Sequence, residues 1–194
     1  MNSKTKIINI VGGPSVGKSI IASGVFSKLK QQKQNCELVS EFPKEMVWEG
    51  NTEILENQIF VFAEQFRRQF RLLNKVDFVI TDSPLILQSV YLIRASNEFF
   101  SPKYISQTKL FMDATFKEFN NISFYIERDS TIEFEKTGRK HSLEESQILD
   151  REIRNQLRTF DPDYFICEGD SAGIIDEIVT CLLDDFGKRS YVKI

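Results

Sequence analysis

Gly12-Gly13-Pro14-Ser15-Val16-Gly17-Lys18-Ser19 follows the apolar run Ile7, Ile8, Ile10, Val11 and precedes a stretch with helical periodicity. A loop that wraps a row of phosphates must aim several backbone N–H groups inward. It needs glycine where the chain turns tightly or passes close to an anionic oxygen, and Gly12, Gly13 and Gly17 meet that need. Lys18 adds a mobile ammonium for the β- and γ-phosphates, Ser19 a hydroxyl for magnesium, and the following helix the positive end of its dipole. The strand before and the helix after separate this pattern from an ordinary glycine-rich turn with a solvated lysine. The sequence therefore predicts a nucleotide site running from Gly12, Gly13, Pro14, Ser15, Val16, Gly17, Lys18 and Ser19 to Ile20, with ATP and Mg2+ as its cofactors.

Around that loop, 194 residues with 41% hydrophobic and 27% charged side chains suffice for one buried core, so a single domain over 1–194 is expected. Seventeen phenylalanines against one tryptophan point to a Phe-rich interior. No apolar run approaches the roughly 20 residues that a membrane helix needs, which predicts no membrane partner. The N-terminus runs from Met-Asn-Ser-Lys-Thr-Lys directly into the first apolar run, without the pattern of a signal peptide, so a cytoplasmic protein is expected. Cys36, Cys167 and Cys181 are odd in number and widely spaced, which favours buried thiols over disulfides and argues against structural zinc. A net charge of −3 gives no global nucleic-acid signal, although a local basic stripe could still exist.

Apolar β-like runs near 6–11, 36–40, 76–81, 122–127 and 163–167 alternate with helical patterns near 18–33, 52–74, 84–95, 103–119, 145–158 and 171–186. That alternation predicts a parallel sheet covered on both faces, a three-layer α/β/α architecture. In the 52–74 helix, Leu55, Ile59, Phe62, Phe66, Phe70 and Leu73 recur at three- and four-residue steps and form a core stripe. Its flank carries Gln58, Gln65 and Arg68 on neighbouring turns, candidates for acceptor binding against a plain solvated face.

Two carboxylates stand at strand ends. Val76 to Asp82 is an apolar strand closing on an acid, so Asp82 is the candidate magnesium-side carboxylate, and it could also cap the helix opening at Ser83-Pro84. Glu41 follows the second strand, where ligands bind in open parallel sheets, and could accept the proton of an attacking hydroxyl. Glu45 is its neighbouring competitor, and a surface acid is the plain alternative.

With these residues in place, the chain resembles the nucleoside and nucleotide kinase branch of P-loop proteins over most of its length. Deoxynucleoside kinases carry a P-loop, a glutamate followed by proline and tryptophan after the second strand, a glutamine-bearing helix, an acid-Arg-Ser turn and an Arg-rich lid. The counterparts here are Gly12 to Ser19, Glu41 with Pro43 and Trp48, Gln58 or Gln65, Asp82-Ser83-Pro84, and the basic segment from Arg128 to Arg154. Two features depart from that pattern: Phe42 separates Glu41 from Pro43, and no arginine follows Asp82. The Gly-Gly-Pro loop, the Asp-Ser-Pro turn and Gly138-Arg139-Lys140-His141 are at least as similar to the nicotinamide-riboside-kinase-like group, which includes many phage proteins. A phage kinase of 5-hydroxymethyl pyrimidines in DNA is a further relative by fold. The resemblance implies a five-stranded parallel sheet in the order 2-3-1-4-5 with a lid near 128–145, and dimers are common in such families.

Within that lid, Arg128 and Arg139 are candidates to meet the charge of a transferring phosphoryl group, with Lys140, Arg151 and Arg154 behind them. His141, the single histidine, is expected to be exposed rather than catalytic. The turn Glu168-Gly169-Asp170-Ser171 falls where the family passes adenine beside the P-loop, although a helix cap would explain Asp170 or Ser171 equally well. The expected activity is Mg-dependent transfer of the γ-phosphoryl group of ATP to a nucleoside-, nucleotide- or ribosyl-nicotinamide-like acceptor. The catalytic set is Lys18, Glu41, Asp82, Arg128 and Arg139. The rival is a switch ATPase acting on a protein partner, disfavoured because Ser83 rather than a second acid follows Asp82. A DNA acceptor would need a basic track, for which Arg67, Arg68 and Arg71 are the concentrated candidates.

Overall fold

In a computed structural model, which describes residues 4–95, 100–129 and 142–184, five parallel strands form one sheet in the order 2-3-1-4-5. They are β1 (Lys6–Val11), β2 (Cys36–Val39), β3 (Phe78–Thr81), β4 (Asn120–Ile126) and β5 (Phe165–Cys167). The helices are α1 (Lys18–Gln31), α2 (Phe42–Trp48), α3 (Gln58–Phe70), α4 (Leu85–Ala95), α5 (Pro102–Lys117), α6 (Leu143–Phe160) and α7 (Ser171–Leu183). This is the expected three-layer P-loop fold.

The central strand explains the layering. Ile8 and Ile10 of β1 point to one face and pack with Ile21, Val25 and Leu29 of α1 and Ile174 and Ile178 of α7. Val11 and, from β4, Tyr125 point to the other face, against Phe62 of α3, Leu85 and Val90 of α4, Met112 of α5 and Leu149 of α6. Strands covered on both faces read as continuous apolar runs, and β3 is buried along its whole length.

One expectation needs correction, and one helix stands between the predicted elements. The predicted 52–74 helix is broken: a 3-10 turn at Glu53–Glu56 precedes α3, and Asn57 caps α3 by accepting the Phe60 N–H at 3.1 Å. An asparagine side chain that satisfies an orphan helical donor starts a new helix rather than continuing an old one. The stripe also shifts: Ile59 and Phe70 are exposed, whereas Val61, Phe62, Gln65 and Gln69 are buried. The additional helix is the segment after Glu41. α2 has Pro43 in its first turn, where the missing N–H costs nothing, and it buries Phe42 and Met46 against Val61.

Candidate active site

Because the five strands are parallel, the segments that follow them leave the same end of the sheet. Asn9 of β1 is in register with Thr81 of β3, so the loop after β1 and Asp82 after β3 emerge side by side. Gly17, at φ 83°, takes the left-handed turn into α1, and as the N-cap residue it makes no side-chain cap to the helix. Ser15 also sits at positive φ, 63°, a strained conformation of the kind held at ligand-binding loops. Lys18 folds back so that Nζ donates to the Gly13 carbonyl at 2.6 Å, keeping the ammonium over the loop. Ile20 lies one residue beyond Ser19, 64% exposed.

Ser19 donates its hydroxyl to Asp82 Oδ2 at 2.6 Å. Asp82 is 7% exposed, and its second oxygen, Oδ1, is buried with no hydrogen-bond partner among the described residues. A buried carboxylate oxygen without a partner is costly unless something else coordinates it. The hydroxyl and carboxylate are hard oxygen donors of the kind magnesium takes, with phosphates and water completing its shell. The residues present fit the ion. Among the described residues no cluster of three or more His, Cys, Asp or Glu could hold a metal by protein ligands alone.

Glu41 and Glu45 have different environments. Glu41 is the residue before α2, half-buried, with its backbone held on both sides by one side chain: Gln65 Oε1 accepts the Phe42 N–H at 3.1 Å and Nε2 donates to the Ser40 carbonyl at 3.4 Å. Glu45 is gripped by Arg68, which donates from Nη1 and Nη2 to both carboxylate oxygens at 2.6 and 2.5 Å and lies over the Phe42 ring. Arg68 also donates from Nε to Glu64 at 3.2 Å. This guanidinium holds the Glu45 carboxyl below the usual carboxylate range, while Arg67 and then Arg68 lower Glu64 to about 2. Of the two acids, Glu45 is engaged in an ion pair and Glu41 sits at the pinned strand end.

Of the three expected acceptor residues, two are held by other protein groups. Gln65 is fully buried and holds backbone. Arg68 is taken up by Glu45 and Glu64. Gln58 donates from Nε2 to the Leu55 carbonyl at 2.6 Å, and its Oε1 is buried without a partner among the described residues, beside a hollow lined by Ile59, Leu92, Phe100 and Tyr104. Along the basic track expected for a DNA acceptor, Arg67 pairs with Glu64 and stays exposed, and Arg71 Nε donates to the Arg68 carbonyl.

Arg128 does not point away from the loop as a lone lid cation. It donates from Nε to Asp150 Oδ2 at 2.6 Å and from Nη2 to the Pro14 carbonyl at 2.8 Å, while Asp150 Oδ1 accepts the Gly13 N–H at 3.0 Å. Arg154 pairs with Glu127. Arg139, Lys140 and His141 lie outside the described residues, as does most of the expected lid. Asp170 caps α7 by accepting the Gly173 N–H at 2.8 Å, and a Cβ on Gly17 would lie 3.8 Å from Ser171 Oγ, so this turn does adjoin the P-loop. In the sequence Asp150 stands only as one of several acids, with Glu144, Glu145 and Glu152, able to salt-bridge the basic lid segment, and beside the buried stripe Ser146, Leu149, Ile153, Leu157.

The sequence model of AAA_28, an AAA domain family, matches residues 7–172. The chain belongs to this AAA domain family. A search of curated protein sequences gives no match. Among solved structures, the AAA domain is similar to deoxyadenosine kinase from M. mycoides with bound dATP, at 18% identity and a TM-score of 0.60, covering 91% of this chain and 98% of that one. It is similar to the NadR protein in complex with NR, at 18% identity and a TM-score of 0.65, over 90% of this chain and 50% of that one. Thymidylate kinase from Candida albicans aligns at 18% identity and a TM-score of 0.50 over 95% and 92% of the two chains. At such identities these likenesses establish the fold. Among the described residues no helix is long and apolar enough to cross a membrane.

Proposed function

We propose that this AAA domain is an ATP- and Mg-dependent phosphotransferase that moves the γ-phosphoryl group to a hydroxyl or phosphate of a nucleoside-, nucleotide- or ribosyl-nicotinamide-like acceptor. The observation that carries the reading is the Ser19–Asp82 pair with its orphaned buried oxygen, next to a loop whose lysine and helix N-terminus are arranged for phosphates. The acceptor class is supported by the likeness in fold to proteins whose structures hold dATP or NR.

In this account the loop N–H groups from Ser15 to Ser19 and the Lys18 ammonium bind and orient the triphosphate. Lys18 leaves the Gly13 carbonyl to do so. Ser19 and Asp82 would hold magnesium, which when bound would offset the negative charge of the phosphates. Glu41 takes the proton of the acceptor hydroxyl as its oxygen bonds to the γ-phosphorus and the bond to the β-bridging oxygen breaks, releasing ADP. Where the acceptor is already a phosphate monoester, no proton need be taken, and Glu41 orients the acceptor instead. Arg139 is proposed to meet the equatorial oxygens. Gln58, with its buried unpartnered Oε1, is the remaining side chain of the expected acceptor set able to read a polar edge.

The reading is tested by following labelled γ-phosphate in the presence of magnesium, with and without an acceptor panel. Transfer to one acceptor class supports it, and acceptor-independent hydrolysis at an undiminished rate moves the function to a switch ATPase.

A further inference from the structure

We infer that Asp150 is a positioning residue of the phosphate loop and that Arg128 is its counter-charge rather than a ligand of the transferring phosphoryl group. The inference rests on the nucleotide-binding reading above and deepens it.

The geometry is a closed ring of contacts. Asp150 Oδ1 accepts the Gly13 N–H at 3.0 Å and Arg128 Nη2 at 3.2 Å; Oδ2 accepts Arg128 Nε at 2.6 Å; and Arg128 Nη2 closes on the Pro14 carbonyl at 2.8 Å. Two successive loop residues are thus gripped, one through its donor and one through its acceptor. The element that supplies Asp150 is itself fixed. Leu149 and Ile153 are fully buried on either side of it, Tyr125 OH donates to the Asp150 carbonyl at 3.2 Å, and α6 begins with a reciprocal Ser142–Glu145 capping box. Gly13 lies hard against this pair: a Cβ built there would overlap Asp150 Oδ1 and stand 3.1 Å from Arg128 Nη2.

The electrostatics fix the division of labour. A carboxylate hydrogen-bonded to a phosphate-binding loop opposes the polyanion that the loop must accept, and at partly buried sites this repulsion is poorly screened. Both side chains are 15% exposed. The ion pair is neutral overall, so the loop gains a fixed hydrogen-bond acceptor without a net negative charge beside the phosphates. Removing the cation alone leaves the acid uncompensated, and removing both charges does not. A guanidinium that touched phosphate directly would give the opposite pattern, because neutralising Asp150 could not replace it.

The experiment is equilibrium binding of a non-hydrolysable ATP analogue with magnesium, by calorimetry well below each variant's melting temperature. It compares wild type, Arg128→Gln, Asp150→Asn and the double variant; a pair that merely stiffens the fold would move melting temperatures and leave this affinity alone. Arg128→Gln is expected to weaken binding about tenfold or more, and adding Asp150→Asn to bring it back to within about threefold of the Asp150→Asn single variant. Arg128→Lys, which keeps the charge and loses the fork, is expected to fall between wild type and Arg128→Gln and provides the comparison should the glutamine variant not fold. A double variant no tighter than Arg128→Gln, an Arg128→Gln affinity equal to wild type, or an Arg128→Lys affinity no better than a complete loss of binding would each overturn the inference while leaving the nucleotide reading in place. A wild-type chain that binds no nucleotide overturns both.

Discussion

Gln65, in the middle of α3, accepts the backbone N–H of Phe42 at 3.1 Å, and through this bond a fully buried amide fixes the turn that presents Glu41. Gln65→Leu leaves that buried N–H without a partner, which costs about 1–3 kcal/mol, and the melting temperature should fall by about 2–4 °C for each kcal/mol lost. In a transfer assay the same variant should lower kcat with little change in the KM for ATP, in parallel with Glu41→Gln, since both act at the acceptor side. An unchanged kcat for Glu41→Gln would remove that residue from proton transfer.

For the magnesium pair, Ser19→Ala removes the hydroxyl that bonds Asp82, and Asp82→Asn removes a charge next to the orphaned Oδ1. Each should raise the magnesium concentration needed for half-maximal nucleotide binding by about tenfold or more. The check is a magnesium titration of analogue binding, which does not depend on turnover. A half-point equal to wild type would show that the ion is held elsewhere.

Gly13→Ala should weaken nucleotide binding strongly, because the added methyl meets Asp150 Oδ1 rather than because of its backbone angles. Shortening the partner should relieve the clash: Gly13→Ala should cost far less in an Asp150→Ala background than alone, a coupling of about 1 kcal/mol or more. Strictly additive affinities would place the clash elsewhere.

Acid stability should report the α2–α3 ion-pair group. Glu64 falls from 4.5 to about 2 through Arg67 and Arg68, and Glu45 is lowered by Arg68. Folded-state values depressed below the unfolded ones mean that the stabilisation is present in full above the usual carboxylate range and is lost as pH falls from about 4.5 toward 2. Urea unfolding followed across that window should show a steeper loss for wild type than for Glu64→Gln. Because Glu45 is 44% exposed on its side chain, its share is smaller and weakens with salt.

These contacts also show what the sequence could and could not disclose. The P-loop was legible because its parts are contiguous, each glycine, lysine and serine standing at a fixed offset from the next. Asp82 was legible because an apolar run ending in an acid marks a strand and its carboxyl end in one pattern. Asp150 was not, since its partner Gly13 is 137 residues away and only the pairing of β1 with β4 brings the two together. Gln65 could be assigned to a flank of α3 from its spacing, but whether that flank faced an acceptor or the backbone of another loop depended on α2. That helix, seven residues long with proline in its first turn, has too few turns for a periodic signal. The break at Asn57 was hidden for a related reason: the apolar spacing continues across it, and the cap that interrupts the helix is a single side chain.

The most direct test of the central claim is transfer of labelled γ-phosphate from ATP to a panel of nucleosides, nucleotides and ribosyl nicotinamide, with magnesium, by wild type and by Lys18→Ala. Wild type should label one acceptor class in a magnesium-dependent reaction, and the variant should lose about 100-fold or more with its melting temperature retained. Release of inorganic phosphate at the same rate whatever acceptor is present, or undiminished transfer by Lys18→Ala, would contradict that claim.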